Sequence, residues 1–210
     1  MNYKEEPNRI MMRENTSRNY VIRICRPIGE VDDFDDELQV LAGASPNDTV
    51  QLILNTPGGS VDTALILCKA LRACEARTSA FIGFTCASAG TAIALACDEW
   101  EIDEYSSFMV HTGSYGTGFD VAPNVFASVQ HMDKMINRFV ENTYSGFLTA
   151  AELEVVKAGR DVYFEGEELA QRLGDFADYR YAMEEAAHAD MIAQMDQLAE
   201  EELDSQQPQE

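Results

Sequence analysis

Residues 49–85 read TVQLILNTPGGSVDTALILCKALRACEARTSAFIGFT. The opening TVQLILN (49–55) is rich in β-branched residues and leucine, the pattern of a buried strand, and it stops at TPGGS, where proline and paired glycines make a turn. From Val61 the apolar residues fill most of two helical faces, and RTSAFIGFT (77–85) is a second strand pattern. Strand, turn, helix and strand in that order predict an α/β fold with crossover connections. Working outward, NYVIRIC (19–25) predicts an earlier strand and VDDFDDELQVLAGA (31–44) a helix ending near Gly43. Downstream, SAGTAIALAC (88–97) reads as a short buried helix, then EWEID (99–103) and SSFMVHT (106–112) as strands.

After the glycine-rich TGSYGTGFD (112–120), a long helix is expected from about Pro123 to Tyr144. Val125, Val129, Met132, Ile136, Phe139 and Val140 form a stripe along it that suits either the core or a neighbouring molecule. TAAELEVVKAG (149–159) and EGEELAQRL (165–173) predict two further helices, with a weaker acidic helical pattern over 182–203 and a disordered DSQQPQE (204–210). The expected organisation is a short polar N-terminal segment (1–17), a main domain (18–180) and an acidic C-terminal helix and tail (181–210).

The 210-residue chain carries a formal charge of −22, and no Lys or Arg follows Arg180. Such a surface repels phosphate backbones, so nucleic acid is not expected as a partner. No membrane span or secretory leader is legible, and five cysteines without a C-x-x-C pair fit a reducing, cytoplasmic setting. Three histidines far apart, without companions at ligand spacing, lead us to expect neither a metal nor a cofactor.

Ser88 stands where a strand gives way to a helix, among Ala87, Ala89 and Gly90. That position puts its hydroxyl beside unsatisfied helix N–H groups, and the N–H of Ala89 could donate to an oxyanion. Taken alone, Ser88 reads first as a helix cap, with small neighbours that permit tight helix packing. His111 ends a strand and enters a glycine-rich loop, and Asp161 precedes apolar residues where an ion needs a partner.

LILNTPGGSVDTALILCKAL, GFTCASAGTAIALA, FMVHTGSYG and GRDVYFEGEELAQRLGDF resemble, in order and spacing, the proteolytic subunit of the caseinolytic (ClpP) proteases over roughly residues 18–178. The resemblance implies a ClpP/crotonase-like ββα superhelix with a projecting handle over about 112–147. It further implies a serine endopeptidase with Ser88 as nucleophile, His111 as general base and Asp161 as the orienting carboxylate. Gly59 and Ala89 would supply the oxyanion N–H groups, while Gly58, Ser60, Val61, Thr112, Gly113 and Ser114 would flank an added substrate strand. Expected partners are peptides or unfolded polypeptides, further copies of the chain in stacked heptameric rings, and an ATP-driven AAA+ unfoldase.

Several departures bear on these expectations. The family's longer N-terminal region, with its axial loop, is absent before NYVIRIC, which weakens the case for an unfoldase. Gly159 stands where an acid often precedes the catalytic aspartate by two residues, and the usual proline is missing after His111. Shortened versions of this kind resemble bacteriophage-encoded members, some of which process capsid proteins. Rival readings are a crotonase-fold acyl-CoA enzyme, an inactive ring scaffold, and a cysteine peptidase using Cys86.

Overall fold

The structure, a computed structural model, describes residues 16–205, with side chains described as far as Leu198 except that of Asp196. Almost all of the expected N-terminal segment, and residues 206–210 of the expected tail, lie outside the described residues. Six strands form one sheet: β1 (Asn19–Ile24), β2 (Thr49–Thr56), β3 (Arg77–Ala87), β4 (Glu99–Ile102), β5 (Ser107–Val110) and β6 (Val162–Glu165). Their order is β1-β2-β3-β5-β6, with β4 beside β3. The helices are α1 (Asp35–Gly43), preceded by a 3-10 turn, α2 (Val61–Ala73), α3 (Ala89–Ala96), α4 (Ala122–Tyr144), α5 (Ala150–Lys157) and α6 (Gly166–Ser205). This is a mixed α/β fold of the ClpP-like kind. No described helix is long and apolar enough to cross a membrane.

β1, β2 and β3 run parallel, as crossover helices require. β3 serves two strands in succession. Ser79–Ile82 pair with β4 and Thr85–Ala87 with β5, so two strands take up successive parts of β3. Burial along β2 alternates: Val50, Leu52 and Leu54 are buried, whereas Gln51 and Ile53 are half-buried. The strand that reads as wholly buried therefore has one face on the helices and one more open. α3 is buried along its whole length, which its small residues permit at close approach to the sheet.

Two elements differ from the sequence-based expectation. β6 is absent from it, because four residues with a single buried side chain, Phe164, give no pattern to read. The two helices expected over 165–203 are one helix, α6. Nothing between them breaks a helix: there is no proline, and the lone Gly174 costs only about 1 kcal/mol relative to alanine. Leu169, Leu173 and Phe176 anchor the first part of α6, while Met191, Ile192, Met195 and Leu198 farther along are exposed.

Phe147, in the turn between α4 and α5, touches Phe108 of β5, Phe164 of β6 and Phe176 of α6, with ring centroids 5.2, 5.2 and 6.2 Å away. This cluster fixes β5 against β6. A second clamp is polar: Arg172 of α6 holds the Glu152 carboxylate of α5 through two 2.7 Å hydrogen bonds, and its guanidinium lies over Phe164.

Candidate active site

Ser88 lies between β3 and α3 with φ 55° and ψ −128°, and it is the sole non-glycine residue with positive φ among those described. Such a conformation costs on the order of 1–3 kcal/mol, and packing must maintain it. The small neighbours explain how. A Cβ on Gly58 would come within 2.6 Å of Ser88 Cβ, and one on Gly90 within 2.5 Å of Thr56 Cγ2. The Ser88 side chain does not cap α3. Its Oγ instead lies 2.7 Å from His111 Nε2.

The sheet places the next two residues. Ser88 N–H donates to Met109 O at 2.8 Å, continuing the β3–β5 ladder by one step. β5 and β6 are antiparallel with Val110 opposite Val162, so the same register carried one residue further sets His111 opposite Asp161. His111 Nδ1 is 3.7 Å from Asp161 Oδ1, an ion-pair separation rather than a hydrogen bond. Asp161 is largely exposed and also accepts from Tyr163 OH at 3.3 Å.

Gly159 has a local reason. With φ 83° it ends α5: its N–H donates to Val156 O and the Arg160 N–H to Val155 O, the Schellman pattern that turns the chain out of a helix. Glycine there brings Asp161 to the position just before β6.

Gly58 and Gly59, with φ 89° and 151°, form a turn beside Ser88. It is tied to the preceding segment through Ile28 N–H to Gly58 O (2.9 Å) and Ser60 N–H to Ile28 O (2.8 Å). A side chain at Gly59 would meet Ile28 O at 2.1 Å. These bonds leave the Gly59 N–H unused, and the Ala89 N–H belongs to the first turn of α3, where no intrahelical acceptor exists. Of the other expected substrate contacts, Ser60 caps α2 by accepting from Thr63 N–H, and Val61 is the first residue of that helix. Thr112, Gly113 and Ser114 continue past β5, where Gly113 packs against Ile136 of α4. The structure thus gathers Ser88, His111, Gly58, Gly59 and Ala89 closely, and Asp161 one step farther out.

Cys86 is completely buried, and burial pushes its thiol pKa up, so it offers no thiolate at neutral pH. Three residues beside Ser88 escape the sequence reading. Thr56 receives the Gly58 N–H at 3.1 Å. Thr91 donates to Ser88 O at 2.6 Å, and Tyr144 stands 2.7 Å from Thr91 Oγ1. Thr91 lies within the quoted motif, but nothing in the sequence announces Tyr144, the last residue of a helix read as projecting. Among the described residues no group of three or more His, Cys, Asp or Glu side chains converges as metal ligands would.

A family model described as ClpP-like SDH-type serine proteinase matches residues 7–112 of the chain. That span includes Ser88, His111 and the Gly58–Gly59 turn, and it ends before the glycine-rich loop that begins at Gly113, α4 and Asp161. An uncharacterized protein of Methanocaldococcus jannaschii is 36% identical over 74 residues, or 35% of this chain. The match spans only 26% of that protein's own length.

Proposed function

We propose that this chain, which belongs to the ClpP-like SDH-type serine proteinases, is a serine endopeptidase acting through Ser88, His111 and Asp161 on short or unfolded polypeptides. The observation that carries the proposal is the 2.7 Å contact between Ser88 Oγ and His111 Nε2, made by a serine in a strained backbone conformation. A hydroxyl is too weak an acid to attack unaided, and an imidazole within hydrogen-bond reach can remove its proton as the C–O bond forms. The Asp161 carboxylate, facing Nδ1, favours the tautomer that leaves Nε2 free and balances the imidazolium that results. The proposed role requires the 3.7 Å separation to shorten to a hydrogen bond once substrate is bound.

Negative charge on the former carbonyl oxygen falls to the N–H groups of Gly59 and Ala89. His111 Nε2 then returns its proton to the leaving amine. Water, deprotonated by the same nitrogen, releases the acyl group and restores Ser88.

The proposal extends to assembly. Phe119, Val121, Phe126 and Met135 are exposed along α4 and the loop before it, more apolar surface than a solvated helix presents. Further copies of this chain are its proposed occupant, enclosing the sites in a ring-shaped oligomer. The decisive experiment replaces Ser88 by alanine. Fluorophosphonate labelling and peptide hydrolysis should both vanish while the thermal transition stays within a few degrees; turnover near the unmodified level would refute the assignment.

A further inference from the structure

The peptide plane between Ser88 and Ala89 carries two groups that point in opposite directions, the Ser88 carbonyl and the Ala89 N–H. Fixing one fixes the other. Two donors engage the carbonyl, Thr91 N–H at 2.9 Å and the Thr91 hydroxyl at 2.6 Å, and the Tyr144 hydroxyl stands 3.5 Å from it. Tyr144 OH is also 2.7 Å from Thr91 Oγ1. With the Thr91 hydrogen engaged by the carbonyl, Tyr144 is the donor in that contact. Tyr144 and Thr91 are both buried, so a hydroxyl left without its partner there would keep its desolvation cost.

We infer that Thr91 and Tyr144 are positioning residues, which hold the Ser88–Ala89 plane in the orientation that aims the Ala89 N–H at the developing oxyanion; this rests on the peptidase reading above. A positive φ at Ser88 turns this plane away from the course a β-strand entering a helix would otherwise take. Local geometry does not favour that turn. The carbonyl is secured by the helix it begins and, by way of the Thr91 hydroxyl, by Tyr144, 56 positions later in the chain. Oxyanion donors act through alignment fixed before the reaction, so a plane free to rock would lose rate at the chemical step rather than substrate binding.

The test uses the full chain with Tyr144→Phe, Thr91→Val and Thr91→Ser. Turnover of a short fluorogenic peptide is measured with affinity for a peptide boronate, whose oxygen occupies the oxyanion position, and with thermal stability. Tyr144→Phe should lower kcat about 10-fold, less than the loss of a whole oxyanion donor, and weaken the boronate by a similar factor with KM changed less than about twofold. Thr91→Val should lose at least as much, and Thr91→Ser should recover most of it. Adding Tyr144→Phe to Thr91→Val should cost little more, since the two act as a unit. If Tyr144→Phe folds and shifts only its melting temperature, with kcat and boronate affinity within about twofold of the parent, the hydroxyls are merely structural and the inference falls. A parent protein inert to both peptide and fluorophosphonate would overturn the peptidase reading itself, and the inference with it.

Discussion

Ser88 is a serine where the backbone asks for glycine. Its φ of 55° and ψ of −128° lie in a region that only glycine enters without cost. Ser88→Gly should therefore raise stability by about 1 kcal/mol or more relative to Ser88→Ala, although both remove the hydroxyl. Denaturant melts of the two variants measure the difference, and equal midpoints would mean that the surroundings relax around any side chain. Ser88, His111 and Gly59 were singled out in the sequence by the family resemblance, since alone Ser88 reads as a helix cap and Gly59 as part of a turn. Tyr144 was not. A tyrosine closing an amphipathic helix looks like any other core aromatic, and only its 2.7 Å contact with Thr91 distinguishes it. Cys86 shows the reverse: a nucleophile by type, two residues from Ser88, it is silenced by complete burial.

Among the elements, the antiparallel pairing of β5 with β6 decides the site, since it sets His111 against Asp161. The helices and parallel strands from Asn19 to Cys97 were readable because their hydrophobic periods are sustained over whole elements. β6 was not, being too short to show any period, and it takes its place through the aromatic cluster and the Arg172 clamp. That clamp has a pH signature. Its hydrogen bonds from Arg172 hold the Glu152 carboxyl at about 2, below the ordinary value of 4.5. A carboxyl lowered on folding contributes stability that is complete above the unfolded value and lost as pH falls from 4.5 through about 2. Glu152→Gln should thus melt at a lower temperature than the parent at pH 7, with the gap narrowing steadily below pH 4.5. A gap of the same width at every pH would show that the charge contributes nothing.

At the scale of the whole molecule, the exposed apolar residues along α4 and its preceding loop are the surface that we propose other copies of the chain to cover. Phe126→Asp together with Val129→Asp, both on exposed positions, should leave the monomer fold unchanged and shift sedimentation toward smaller species. A parent protein that is monomeric at micromolar concentration and still cleaves peptides would refute the proposed ring. The burial of α4 was legible only as a choice, because an apolar stripe on a long helix reads alike whether it faces a core or a neighbour. In the fold, most of that stripe is only half-buried, with Val140 alone fully covered.

The 40 residues of α6 extend for about 60 Å, well past the part that Phe176 anchors. Between Tyr181 and Ser205 every formally charged side chain is Asp or Glu, which makes this half of the helix a one-signed polyelectrolyte rod. Its carboxylates repel one another along the axis. Screening by added salt should therefore favour the helical state of this segment. Far-ultraviolet ellipticity should deepen as salt is raised from about 10 mM to about 500 mM, over which the screening length shrinks from roughly 30 Å to a few ångström. The signal should arise in this rod alone, so removing residues 182–210 should abolish it while the sheet melts as before.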